Sequence, residues 1–465
     1  MNDLNALNPY LNGLYAPIHT ELTATSLEIV GELPPDLNGA YFRNGPNPLN
    51  EPEGMHHWFD GDGMLHGLWF ESGTARYANR FIGTTDYEAA RRGGDSLPGI
   101  FSPAQSAPGR TVVYKDTANT DVLVHSNRLL ALWYISGRPV AVDMDNLETI
   151  GVDDFGGGYQ GNVSAHSKVD PATGEFVFFD YDLYEPKMRL GTVSADGVLR
   201  RLQEIDLPGP RLPHDMGLTK NYAILHDLPV IFSEQAIRNR LWQIHVADLP
   251  TRFGVVPRKG GDPKWFEFPT CYIYHVINAW EEGDVVVMAA CKMVDSGLVP
   301  DAKTYGAYAP MVGVLALRAQ PFLWRMNMKT GIGREQQIDD GVSEFPVVNG
   351  DFATVKSKYS YHVEMDDHIE QRYSALIKYN LETGQSERHV FPKSVFGSEA
   401  AFGARDHATK EDDGYVVTFA TDQSDGTSCA YVIDAQNFTS PPVATVKLPQ
   451  RVPLGFHGTW ARTAS

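Results

Sequence analysis

Residues 377–391 read IKYNLETGQSERHVF, a short apolar run followed by a polar turn and a second strand-like run. Asn380 and Gly384 tolerate the backbone conformations that a tight turn requires, so this stretch predicts a β-hairpin. Hairpins of this kind, spread through all 465 residues, predict an all-β fold and favour a β-propeller, with several stacked β-sandwiches as the alternative. The repeat is degenerate, so it does not give the number of blades. The same arrangement recurs at residues 141–152, 167–179, 191–202, 324–335 and 432–446.

Helical signals are few. Residues 234–249 (EQAIRNRLWQIHVADL) are the strongest candidate for a helix, and residues 86–94 (DYEAARRGG) are a second, shorter candidate. Residues 293–325 mix apolar residues with Pro and Gly, which predicts a long excursion from the propeller. Such an excursion would cap one face of the fold or wall a binding pocket.

The composition is that of a globular protein. Hydrophobic residues make up 42% of the chain, charged residues make up 21%, and no linker divides it, so we expect residues 1–465 to form one domain. A formal net charge of -19 repels phosphate backbones and argues against a nucleic-acid partner. Three cysteines without CxxC spacing fit a reducing compartment. With no signal-peptide pattern and no long apolar run, we expect a cytoplasmic protein, and peripheral membrane contact stays open.

Four of the fifteen histidines lie in informative settings: His166, His214, His275 and His457. No HExxH or CxxC motif is present, so no local spacing marks a metal site. In a propeller, however, the inner strand of every blade lines one central axis, and residues far apart in sequence can converge there. The spacing alone leaves two interpretations open, a shared metal site and separate structural histidines.

Several further motifs occur in a fixed order along the chain. Residues 11–48 (LNGLYAPIHTELTATSLEIVGELPPDLNGAYFRNGPNP) open it, and residues 56–70 (HHWFDGDGMLHGLWF) follow. The four histidine segments come next in order, together with SEFPVV at 343–348, FGSEAAF at 396–402 and EDDGYVV at 411–417. Over nearly its whole length the sequence resembles the carotenoid cleavage oxygenase family, which includes apocarotenoid and lignostilbene dioxygenases.

The resemblance implies a seven-bladed propeller with a helical and loop dome over one face. It implies one iron(II) per chain on the propeller axis, with O2 as co-substrate, and the four histidines as its ligands. Glu344 and Glu399 match two positions at which the family carries glutamates that orient these ligands. A carboxylate that accepts the free ring N–H of a ligating imidazole fixes its tautomer and raises its basicity.

The sequence departs from the family pattern at a third such position. The family commonly carries a Glu in a segment that reads roughly LALWE, whereas residues 129–139 read LLALWYISGRP, with Tyr134 in its place and one extra residue. One histidine, His214, is therefore expected to lack a carboxylate partner. The phenol oxygen of Tyr134 is a weaker substitute acceptor.

The chemistry that the resemblance implies is the addition of both atoms of O2 across one double bond, which gives two carbonyl products. Stilbene-cleaving relatives bind a phenol through a Tyr and a Lys, and the corresponding positions here are the apolar Phe101 and Trp133. Together with Phe59 and Trp58 they are expected to line an aromatic slot for an extended polyene. Plain core packing is the alternative for each of these residues.

The predicted substrate is therefore an apocarotenoid or a related apolar alkene, with a stilbenoid or phenylpropanoid alkene as the alternative. A same-family isomerase or hydrolase would use the same iron without O2. A non-catalytic binding propeller is the alternative from another class, and the four histidine motifs argue against it. A calcium-dependent propeller hydrolase would need carboxylate and carbonyl ligands at axial positions where this chain matches histidines.

Overall fold

A computed structural model describes residues 8–52, 55–94, 97, 99, 114–232 and 244–462 of the chain. All six predicted hairpins form in it. The hairpin of residues 377–391 shows why: Asn380 Oδ1 accepts hydrogen bonds from the backbone N–H groups of Glu382 and Thr383, at 3.0 and 3.2 Å. Gly384 then supplies a φ of 72°, in the left-handed region that favours glycine.

The strands, numbered in chain order, form seven blades within the described residues. In each blade the strands follow one another from the innermost, next to the axis, to the outermost. Blade 1 has β33 (Gly458–Ala461), β3 (Gly39–Pro46), β4 (Gly63–Glu71), β5 (Thr74–Phe81) and β1 (Thr23–Ala24). Blade 2 has β6 (Asp121–His125), β7 (Arg128–Leu132), β8 (Val140–Val142) and β9 (Thr149–Val152). Blade 3 has β10 (Lys168–Val169), β11 (Phe176–Tyr181), β12 (Lys187–Val193) and β13 (Leu199–Asp206). Blade 4 has β14 (Gly217–Leu218), β15 (Tyr222–Asp227), β18 (Thr251–Pro257) and β19 (Lys264–Phe268).

The remaining blades follow the same plan. Blade 5 has β20 (Ile273–Glu282), β21 (Val285–Val294), β22 (Arg318–Asn327) and β23 (Gly333–Gln337). Blade 6 has β24 (Ser343–Val347), β25 (Tyr359–Met365), β26 (Tyr373–Asn380) and β27 (Ser386–Val390). Blade 7 has β29 (Ala401–Ala404) and β28 (Val395–Phe396), which both pair with β30 (Gly414–Asp422), and then β31 (Ser428–Asp434), β32 (Ala444–Lys447) and β2 (Ile29–Gly31). The predicted seven-bladed propeller is confirmed.

The ring is closed by strands from both ends of the described chain. β33 pairs with β3 as the innermost strand of blade 1, with Ala461 opposite Ala40. β2 pairs with β32 at the outer edge of blade 7, with Ile29 opposite Val446. Because each terminal strand completes a blade whose other strands lie far away in sequence, the first and last blades are held together without a separate linker.

The dome over one face is built from short helices and turns. The excursion predicted at 293–325 is shorter than expected, because its two ends belong to β21 and β22. Tyr15, Trp58, Tyr305 and Tyr308 from the dome share one apolar cluster with blades 6 and 7. The helices are α1 (Thr85–Arg91), α2 (Ala302–Tyr305) and α3 (Ala309–Val314), with 3-10 turns at Pro9–Leu11, Gly13–Tyr15, Trp58–Asp60, Gly306–Tyr308 and Gly350–Phe352.

The two helix predictions had different outcomes. The prediction for residues 86–94 is confirmed by α1, whose N-cap Thr84 accepts a hydrogen bond from Tyr87 N–H at 3.0 Å. The prediction for residues 234–249 is wrong at Ile244–Val246, which form strand β17 paired with β16 (Val230–Phe232). Cross-strand pairing outweighs a weak local helix preference there. Residues 234–243 lie outside the described residues.

None of the helices in the described part of the chain combines the length and the apolar character that crossing a bilayer requires.

Candidate metal centre

The innermost strand of every blade brings at least one histidine or carboxylate to the axis. Each of these residues lies within three residues of the start of that strand, and all are buried or partly buried. The innermost strands also wall a channel along the axis. The propeller therefore converts residues far apart in sequence into one cluster. In blade order they are His457, Asp121, His166, His214, His275, Glu344 and Glu399.

The four predicted histidines are brought together. One ring nitrogen from each of His166, His275 and His457 lies within 4.8 Å of the others, close enough to share an ion. The His214 ring lies 4.6 Å from that of His166 and 5.1 Å from that of His275, measured between centroids. The His166 ring also lies 4.4 Å from that of His457. An all-imidazole donor set of this kind suits a borderline transition metal such as iron.

Two of the histidines are held by the predicted glutamates. His275 donates its Nδ1 proton to Glu344, and His457 donates its Nδ1 proton to Glu399 at 3.0 Å. Each carboxylate is itself fixed by a backbone N–H group, that of Phe345 at 2.6 Å for Glu344 and that of Gly458 at 2.5 Å for Glu399. With Nδ1 occupied, the lone pair of Nε2 is the one that is left for a metal.

Two buried ring nitrogens without a hydrogen-bond partner in the described part of the chain fit a metal site. His166 Nε2 and His275 Nε2 are buried and have no hydrogen-bond partner among the described residues. A buried polar atom without a partner is costly, and such atoms in a native protein call for an explanation. Two unpartnered nitrogens that face the same histidine cluster are explained by a shared ion.

Burial also keeps three of the rings neutral, because it lowers the pKa of His166, His214 and His275 well below the ordinary value. At His457 burial lowers the pKa, but the neighbouring Glu399 outweighs it and the net shift is upward. Since only a neutral imidazole can ligate a metal, the buried rings are ready to bind.

Two acidic residues of the site were missed at the sequence level. Asp121 accepts a hydrogen bond from the backbone N–H of His166 at 2.9 Å and holds that residue at a φ of 64°, which is uncommon for a side chain other than glycine. Asp215 accepts the backbone N–H of Val276 at 2.6 Å and pairs with Lys168 Nζ at 2.7 Å. These two carboxylates lock the backbone of the histidine segments rather than their rings. No local sequence pattern marks such contacts, because both partners are distant in sequence.

His214 is the exception among the four. Its Nδ1 is buried and has no hydrogen-bond partner among the described residues. Tyr134, the expected substitute acceptor, lies with its ring 5.3 Å from the His214 ring and makes a tilted ring contact instead of that hydrogen bond. Tyr274 packs edge-on against the other side, at 4.6 Å. His214 is therefore positioned by aromatic packing rather than by a carboxylate.

An apolar cavity of ≈ 40 Å³ lies on the dome side of the histidines. His214, His275 and His457 form part of its wall, so a molecule inside it would face the metal centre. Phe345 stacks on His457 with the ring centroids 4.9 Å apart. The apolar and aromatic residues of the wall are Phe59, Tyr134, Tyr274, Leu317, Phe345, Met365 and Phe456.

The four residues predicted to line the substrate slot differ in position. Phe59 lines the cavity, with its ring 5.6 Å from that of Tyr134. Trp133 does not line it and packs in the apolar core between blades 2 and 3, while the adjacent Tyr134 takes the wall position. Neighbouring side chains of an extended segment point to opposite sides. An error of one residue in the alignment therefore assigns a core residue to the cavity wall. Trp58 packs against Phe456, and Phe101 lies outside the described residues.

Comparison with known proteins agrees with the fold. Residues 15–462 match the family model described as retinal pigment epithelial membrane protein. The chain is 34% identical to a carotenoid 9,10(9′,10′)-cleavage dioxygenase of Crocus sativus over 489 residues, which cover 96% of this chain and 88% of the relative.

Solved structures are similar over the same length. The lignostilbene dioxygenase of Pseudomonas brassicacearum superposes with a TM-score of 0.86 at 28% identity, covering 98% of each chain. A cobalt-substituted Synechocystis apocarotenoid oxygenase gives 0.85 at 27% identity, covering 96% of this chain and 97% of that one.

The chain belongs to the carotenoid cleavage oxygenase family. The predicted class, a dioxygenase that cleaves a carbon–carbon double bond, is confirmed at that level.

Proposed function

We propose that the protein is an iron(II)-dependent dioxygenase that cleaves one double bond of an apolar conjugated alkene, and that four histidines hold one iron per chain. The single observation that carries the proposal is the convergence of four buried imidazoles beneath an aromatic cavity, two of them with an unpartnered Nε2. One similar structure is described as cobalt-substituted, which further supports a bound metal. The proposed ligands are His166, His214, His275 and His457.

When bound, iron(II) supplies the activation of O2 that no side chain can provide. The chain's own residues do the rest. Glu344 and Glu399 hold two of the imidazoles in one tautomer. Asp121 fixes the backbone at His166, and Asp215, which follows His214, fixes the backbone beside His275. The apolar wall excludes water and orients the alkene. Such positioning lowers the activation barrier because the entropy cost of bringing the reacting groups together is met on binding. No general acid or base is required, since both oxygen atoms end in carbonyl products.

The lining favours an extended polyene of the apocarotenoid type. Aromatic and aliphatic side chains dominate the wall near the histidines, and such a surface holds a long apolar chain by contact area rather than by hydrogen bonds. The Synechocystis neighbour is named an apocarotenoid oxygenase. A stilbenoid or phenylpropanoid alkene is the second candidate, supported by the similarity to the Pseudomonas lignostilbene dioxygenase.

Metal analysis followed by turnover tests the proposed function. The full chain is purified without oxygen, its iron is quantified, and it is then exposed to O2 with one apocarotenal, one 4-hydroxystilbene and one propenylphenol. We expect about one iron per chain and O2-dependent aldehyde products from the apocarotenal, identified by mass spectrometry. Turnover without O2 would point to an isomerase or hydrolase, and a chain that binds no iron would support a non-catalytic binding propeller.

Placing a carboxylate beside His214 should tighten the metal site. In a Tyr134→Glu variant the new carboxylate can accept the Nδ1 proton of His214, for which the described residues offer no acceptor. Partners of this kind are worth about 10- to 100-fold in metal affinity. We therefore expect slower loss of iron to a chelator, measured spectroscopically without substrate. Tyr134→Gln, which has the same shape but no charge, is the matched control. Equal rates of iron loss in the two variants would show that a charged partner of His214 does not strengthen iron binding.

One domain spanning residues 1–465, a cytoplasmic location and the absence of a nucleic-acid partner stay predictions.

A further inference from the structure

The wall of the cavity includes an amide group that is only partly hydrogen-bonded among the described residues. Gln371 lines the cavity together with Leu317 and Met365 and is 8% exposed. The residue is therefore buried, and its side chain faces an apolar wall. Buried amides normally have all their donors and acceptors paired, so an incompletely paired amide at a binding cavity suggests a ligand group.

The orientation of this amide is fixed by two tyrosines. Tyr373 donates its hydroxyl proton to Gln371 Oε1 at 2.6 Å, a distance usual for O–H···O and short for N–H···O. Tyr15 donates its hydroxyl proton to the backbone carbonyl of Gln371 at 2.7 Å. Tyr373 occupies Oε1. The Nε2 group, with its two protons, is therefore the part of the amide that is available to a ligand in the cavity. No described residue accepts a hydrogen bond from it.

The segment around Gln371 is braced, which distinguishes it from a mobile surface loop. The preceding Glu370 accepts a hydrogen bond from the hydroxyl of Tyr305, in dome helix α2, at 3.0 Å. Glu370 also pairs with Arg372 at 3.2 Å. The amide is thus held in place before any ligand arrives, and a preorganised donor gains more from a hydrogen bond than a mobile one does.

We infer that Gln371 determines substrate specificity by donating a hydrogen bond from Nε2 to a carbonyl oxygen conjugated with the alkene. The inference rests on the proposed function, since it names a residue that selects the substrate of the same cavity. A carbonyl oxygen suits this site because it only accepts hydrogen bonds, as a donor amide requires. Conjugation places additional negative charge on that oxygen, which strengthens the hydrogen bond. A hydrocarbon polyene of the same length would bury the Nε2 donor without an acceptor.

Binding without turnover tests this inference. The full chain, kept free of oxygen, is titrated with an apocarotenal and with the hydrocarbon of equal length in which a methyl group replaces the formyl group. Quenching of tryptophan fluorescence gives both dissociation constants. We expect the wild type to prefer the aldehyde roughly tenfold, the value of one well-placed hydrogen bond. In a Gln371→Met variant, similar in length but without the donor, this preference should disappear through weaker binding of the aldehyde alone.

A second variant keeps the test decisive if Gln371→Met does not fold. Tyr373→Phe removes the hydroxyl that fixes the amide and leaves Gln371 in place, so we expect it to reduce the preference for the aldehyde by a smaller factor. Equal losses for aldehyde and hydrocarbon, or a wild type that does not distinguish them, would overturn the role of Gln371. Failure of the proposed function would instead appear as a chain without iron or without O2-dependent cleavage, and the binding preference is measured independently of both.

Discussion

Replacing any one of His166, His214, His275 or His457 by alanine is expected to abolish tight iron binding and alkene cleavage. Each substitution removes one of the four nitrogen donors and leaves a buried cavity on the propeller axis. No described neighbouring side chain supplies a replacement nitrogen there. Iron per chain, measured by mass spectrometry after chelator treatment, and aldehyde formation under O2 should both fall to background. The fold should persist, because the blades are held together by their own apolar clusters.

A buried histidine away from the axis is the matched control. His226 lies on β15, the second strand of blade 4, where its Nε2 is 3.4 Å from Met288 Sδ. We expect a His226→Gln variant to retain iron even if it is less stable. Full iron content and activity in any one of the four alanine variants would remove that histidine from the ligand set.

Replacing Glu344 or Glu399 by glutamine should weaken iron binding by about 10- to 100-fold without emptying the site. Glutamine preserves the shape of the side chain and can still accept the imidazole proton, but it lacks the negative charge that raises the basicity of the ring. The competition of the protein with a chelator for iron gives the change in affinity. Because Glu344 contacts His275 and Glu399 contacts His457, the two effects act on different ligands, and the double variant should lose more iron than either single variant.

Glu335 provides the comparison for this series. It pairs with Lys292 at 3.0 Å on blade 5 and is not part of the axial cluster. A Glu335→Gln variant should hold iron as tightly as the wild type. If Glu344→Gln did the same, the carboxylate on His275 would serve folding alone, and the tuning of the ligand would have to come from elsewhere.

The hairpins were predictable because each turn is decided locally. Asn380 and Gly384 act within a few residues of their own position, so their effect can be read from a short window of sequence. The number of blades is not a local property, and it came from the resemblance. The same holds for the four histidines, whose convergence depends on the ring geometry of all seven blades.

The errors have the opposite cause, since they concern residues whose roles are set by distant partners. Strand β17 forms against β16, which lies outside the stretch 234–249 from which the helix was predicted. Trp133 was predicted to line the cavity, but it lies in the core and the next residue, Tyr134, lines the cavity instead. Composition cannot detect a shift of one residue. Asp121 and Gln371 look like ordinary polar residues until the chain has brought them to the axis and to the cavity.

The strand that closes the ring also brings in one of the four proposed iron ligands. His457 directly precedes β33, the innermost strand of blade 1, which pairs with β3 near the other end of the chain. A chain still being synthesised cannot present all four imidazoles, because the fourth arrives only when the first blade receives its final strand. With the proposed ligands, iron can bind only after the ring has closed. The bound ion would link blades 1, 3, 4 and 5 and oppose their separation, and it would add to the strand pairing and the apolar packing that already close the ring.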